Sequence, residues 1–136
     1  MYKTIVIPIE LSNRDKAADM VAIAKRLGGE EAKLIFVTVF EEAPAYVVAQ
    51  LPEGIIERSR EEARGELKAL TEKLGVAAEI EVRVGHAATS ILAVAEEKQA
   101  DVIVIASHRP GLQDYLLGST AARVVRHATC PVFIDR

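Results

Sequence analysis

The sequence predicts an α/β fold: a three-layer sandwich whose five-stranded, mainly parallel sheet, in the order 3-2-1-4-5, is covered by four helices. Three observations predict it. Short β-branched runs alternate with stretches of helical periodicity along the whole chain. Two of the runs, TIVIPI at 4–9 and DVIVIA at 101–106, are too short for helices and too apolar for a sheet with a wet face. Strict alternation then requires parallel neighbours joined by right-handed crossovers. The 136 residues are read as one domain, 1–136, large enough for a single buried core.

Each element has its own signal. After the first strand, Ser12 and Asp15 have the spacing of a capping box. Ala17, Met20, Val21, Ala24 and Leu27 follow at helical spacing, and Gly28 and Gly29 end the helix. KLIFVTVF at 33–40 is the second strand. The stretch 41–54, EEAPAYVVAQLPEG, holds two prolines and no sustained period, and is expected to be a long loop. A second helix from about Ile56 to Leu74 places Ala63, Leu67, Leu70 and Leu74 on one stripe, with Gly75 after it. AEIEVRV at 78–84 alternates, as a more exposed strand does. AATSILAVAEEK at 87–98 is the third helix, and STAARVVRHA, capped by Ser119, is the fourth. PVFI at 131–134 is the last strand.

Hydrophobic residues are 50% of the chain and charged residues 27%, the balance of a globular protein rather than a disordered one. The net charge of −3 gives no electrostatic case for nucleic acid or an anionic membrane. One cysteine, Cys130, excludes an intrachain disulfide framework. Nothing approaches the length of a membrane span, and the first residues lack a secretory pattern, so a cytoplasmic protein is expected.

A sheet of this order takes its ligand beyond the carboxyl ends of strands one and four, where the winding reverses. Glu10, Ser107 and His108 fall there. Gly118-Ser119 opens the last helix, whose first N–H groups and dipole attract an anion such as phosphate; read alone, the pair is simply a good cap. With negative φ, Gly118 would accept a valine that blocks phosphate approach and leaves folding intact. Arg109 could fork onto phosphate oxygens and His108 could donate a hydrogen bond, or both could be ordinary loop residues. Glu10 could accept from ribose hydroxyls or hold a phosphate-bound metal, or could be a solvated charge near a helix start. His127 and Cys130 resemble half a metal site without a second half, and Arg123 and Arg126 are read as solvent-facing. No P-loop, G-x-G-x-x-G or G-x-S-x-G motif is present, and nothing resembles a poised nucleophile.

The opening IVIPIELS, the V-G at 84–85 and above all IASHRPGLQDYLLGSTAARVVRHATCPVFI at 105–134 make the chain resemble the universal stress protein family over nearly its full length. The resemblance implies a Rossmann-like fold of the adenine-nucleotide hydrolase type and a homodimer joined through the last strand's edge. It also implies, from one branch of the family, ATP bound without a P-loop. That branch carries G-x-x-G-x9-G-[ST], whose glycines fall at Ala106, Arg109 and Gly118, with only eight residues between the last two. By the same resemblance, adenine would meet Val39 with Pro8 and Ile9 nearby, and ribose would meet Glu10 and Ala106. Phosphates, with or without Mg²⁺, would lie against Arg109, Gly118, Ser119 and Thr120. Tyr46 and Leu51 would cover the base. The implied role is in stress response or signalling, with weak ATPase activity at most. The other reading is a homodimeric interaction module whose nucleotide site is vestigial.

Overall fold

In the computed structural model, which describes residues 1–107 and 117–136, five parallel strands form one sheet in the order β3-β2-β1-β4-β5. The strands are β1 Thr4–Pro8, β2 Lys33–Glu41, β3 Ala78–Gly85, β4 Val102–Ala106 and β5 Val132–Asp135. Between them run α1 Lys16–Gly28, a one-turn α2 Ala45–Val48, α3 Ile55–Leu74, α4 Ala87–Glu97 and α5 Ser119–His127. The expected sheet order is thus observed, and all four strand pairings are parallel.

The strand period of two sorts the core into two layers. Ile5, Ile7 and Ile9 face Met20, Val21 and Ala24 of α1 and Ala63, Leu67 and Leu70 of α3. The alternate residues Val6, Ile35, Val37, Ile103 and Ile105 face Ile91 and Val94 of α4 and Ala121 and Val124 of α5. The first two crossovers therefore cover one face and the last two the other, and the winding reverses between β1 and β4. A crevice is left there at the carboxyl edge.

Three local expectations are corrected. Ser12 and Asp15 do not form a capping box: Leu11–Asn13 is a 3-10 turn, and Asp15, at φ −61 and ψ −27, is already helical and makes no side-chain cap bond. A capping side chain needs extended backbone, which short-range bonds such as Asn13 N–H to the Glu10 carbonyl (2.9 Å) preclude here. Residues 41–54 are not all loop. Pro44 starts α2, its carbonyl accepting from Val47 N–H and Val48 N–H at 3.0 and 3.1 Å. The cap of α5 is Gly118 rather than Ser119: it is extended at φ −63 and ψ 154, and its carbonyl accepts the first helical bond, from Ala122 N–H at 2.9 Å.

The edge strand β3 is dressed with charge. Arg83 reaches Glu81 at 2.6 Å and Glu97 of α4 at 2.9 Å, while Glu79 pairs with Lys98 and, at 3.1 Å, with Lys33. Such side chains deter pairing with a stray strand. At the opposite end of the strands, Asp101 Oδ2 accepts from the amides of Lys3 and Thr4, both at 2.8 Å, and fastens the start of β1 to the start of β4.

Candidate functional site

A cavity of about 520 Å³ opens at the carboxyl edge over the ends of β1, β2 and β4. That volume lies within the range of small-molecule sites. The structure brings Pro8, Ile9, Glu10, Val39, Ala106, Ser107, Gly118, Ser119 and Thr120 to this one cavity, from four separate stretches of chain. His108 and Arg109 lie outside the described residues.

The strand ends make the cavity polar where backbone is exposed to it. β1 stops pairing with β2 at Pro8, opposite Val37, whereas β2 runs on to Glu41 with β3 alone beside it. The Val37 carbonyl still accepts from Ile9 N–H at 2.7 Å. Alternate residues of a parallel strand present N–H and C=O to the same side, so Val39 turns its amide and carbonyl toward the space beyond β1. A flat heterocycle placed there could accept from one and donate to the other.

On the other side of the crevice, Ser107 is held twice. Its N–H donates to the Asp135 carbonyl at 3.0 Å, and its carbonyl accepts from Gly118 N–H at 2.5 Å. The second bond spends the amide that the sequence suggested for an anion. It also explains the glycine. A Cβ on Gly118 would sit 2.7 Å from the Ser107 oxygen, so a side chain there disturbs the fold even though φ is ordinary, contrary to expectation. The amides of Ser119, Thr120 and Ala121, in the first turn of α5, are those that intrahelical bonding leaves for a ligand.

Glu10 caps the 3-10 turn and lines the cavity beside Pro8 and Ile9. Sequence reasoning missed Lys16, Thr38, Glu41 and Ile91, which also line it. Glu41 is the last residue of β2, and its place at a strand end was the available signal; Lys16, the first residue of α1, offered none. Glu41 Oε1 accepts from Ala87 N–H at 3.3 Å and so caps α4. Tyr46 and Leu51 do not cover the cavity: neither lines it, and Tyr46 is 72% exposed, because α2 directs it to solvent. Burial pushes the Cys130 thiol up, away from the thiolate that a metal or electrophile requires. Among the described residues no three His, Cys, Asp or Glu side chains gather as a metal site.

The universal stress protein family model matches residues 1–136. The chain belongs to the universal stress protein family. A relative from Methanocaldococcus jannaschii, itself a universal stress protein, is 34% identical over 98% of this chain and 82% of its own. Among solved structures, a universal stress protein from Lactobacillus plantarum superposes with a TM-score of 0.72 at 23% identity, covering 99% of this chain and 98% of its own. Another universal stress protein, solved in complex with cAMP, matches with a TM-score of 0.64 at 25% identity, covering 99% and 97%. These likenesses extend over the family's whole domain, the cavity's elements included.

Proposed function

We propose that this family member binds ATP or another adenine nucleotide in the cavity at the carboxyl ends of β1 and β4. The observation that carries the reading is one hollow with two unlike ends: the outward-turned backbone of Val39 at one, the first-turn amides of α5 at the other. A purine needs the first and a phosphate tail needs the second. The family relative in complex with cAMP supports the same ligand class. Adenine would lie against Val39 with Pro8 and Ile9 beneath it. Ribose hydroxyls would donate to Glu10 near Ala106, and phosphates would accept from Ser119 and Thr120, with Ser107 and Gly118 fixing the floor. The sequence adds His108 and Arg109 as further phosphate donors. Mg²⁺, when present, would be held mainly by the phosphates and water, since among the described residues no three His, Cys, Asp or Glu side chains gather as a metal site.

Of the carboxylates in the described lining, Glu41 accepts from Ala87 N–H and Glu10 is assigned to ribose, so hydrolysis is expected to be slow or nil. The chain then acts by carrying bound nucleotide, in stress response or signalling in the cytoplasm. The second reading, a homodimeric interaction module with a vestigial site, is favoured by Ala106 and Arg109 standing where the ATP-binding branch has glycine, with a shortened loop before Gly118. β5 is an edge strand whose Phe133 is 42% exposed, and Val125 of the neighbouring α5 is 44% exposed. Dimerisation through that edge is compatible with either reading.

Protein purified without added nucleotide, denatured and cleared, should release material with adenine absorbance, and apo protein should titrate saturably with ATP at micromolar to low millimolar concentration. An intact dimer with no saturable binding in that range would leave the module reading in its place.

A further inference from the structure

The ammonium of Lys16, the first residue of α1, lies 3.3 Å from Oδ2 of Asp135, the last residue of β5. Because β4 separates β1 from β5 in the sheet, the pair reaches across the end of β4. That end is where Ala106 and Ser107 line the cavity. The two side chains are only 24% and 19% exposed. Yet Oδ2 is buried and accepts no hydrogen bond among the described residues, so the contact is one of charge without alignment. Lys16 is therefore the charge that compensates this oxygen, and only a strongly charged ligand could compete for it. The aspartate is itself fixed, since its carbonyl accepts from Ser107 N–H at 3.0 Å. The lysine has a long flexible stem.

Lys16 also lines the cavity, and among the described residues it is the one cation to do so, against the carboxylates of Glu10 and Glu41. With Lys16 held by Asp135, its charge is offset beside the end of β4. With Lys16 released, it can meet the phosphates that Ser119 and Thr120 receive from the opposite side.

We infer that Lys16 is a specificity-determining residue for the phosphate tail, and that Asp135 is the competing anion that sets how many phosphates the site prefers. The inference rests on the nucleotide reading above and deepens it. A short tail at the start of α5 gains little from the exchange. A longer tail brings enough charge to draw Lys16 from the aspartate.

The test compares ATP and AMP on the intact chain by calorimetric titration, with Lys16→Met and Asp135→Asn and thermal melts as folding controls. Lys16→Met should weaken ATP by about tenfold or more, the size of one lost charge-assisted hydrogen bond, and AMP by no more than about threefold. Asp135→Asn should act oppositely and strengthen ATP several-fold relative to AMP. If Lys16→Met does not fold, the Asp135→Asn ratio decides alone. An ATP-to-AMP ratio unchanged by Asp135→Asn, or lost equally for both nucleotides in Lys16→Met, overturns this inference and leaves the nucleotide reading standing. Wild-type protein that binds neither nucleotide overturns both.

Discussion

Gly118 shows how one residue can be right for a reason the sequence conceals. The Gly-Ser pair pointed to the start of α5, where an anion is welcome, and the cavity does end there. The glycine's own amide, however, is spent on the Ser107 carbonyl, and its missing side chain makes room for that oxygen. Gly118→Ala should therefore lower stability by about 1–3 kcal/mol through crowding, read as a lower urea midpoint with an unchanged slope. Gly65, inside α3, is the contrast: a Cβ there meets nothing within 4 Å. Gly65→Ala should raise stability by about 0.5–1 kcal/mol, since alanine loses less backbone freedom in a helix. Lys16 was hidden for another reason. Helical spacing marks which residues of α1 face the core, but not which polar residue of its first turn leans over a neighbouring strand end.

At the scale of elements, Asp101 ties the sheet together before any loop does. Its two bonds from the Thr4 and Lys3 amides hold its carboxyl below the ordinary value of 3.8. A lowered folded-state value means stabilisation fully present above that ordinary value, lost as pH falls through the folded-state one. Asp101→Asn should accordingly unfold more readily than wild type at neutral pH, with the difference shrinking in acid; equal melting temperatures at neutral pH would contradict the tie. The charged dress of β3 predicts less. Glu97, then Glu81, holds the Arg83 guanidinium firmly protonated, and Lys98, then Lys33, lowers the Glu79 carboxyl. These pairs lie near the surface, where each contributes little to stability and salt weakens it further. Breaking them should change the protein's tendency to self-associate more than its melting temperature.

Much of this level was legible in advance. The apolar runs at 4–9 and 101–106 marked strands buried on both faces, and the reversal between β1 and β4 followed from their order. What escaped was short-range backbone bonding. The 3-10 turn at Leu11–Asn13 and the single turn begun by Pro44 depend on one or two hydrogen bonds each, too few residues to impose a period.

For the whole molecule, two surfaces carry the functional expectation: the cavity over the carboxyl edge and the unpaired side of β5. If copies join through β5, Phe133→Lys should lower the apparent mass on light scattering from dimer to monomer while ATP still binds, because Phe133 does not line the cavity. Amide chemical-shift mapping during an ATP titration tests whether nucleotide enters the cavity. Saturable shifts are expected at Ile9, Val39, Ser119 and Thr120, and none at Gly75 on the opposite edge of the sheet. Saturation that moves Gly75 and leaves Val39 and Ser119 still, or no shift at millimolar ATP, would contradict binding there.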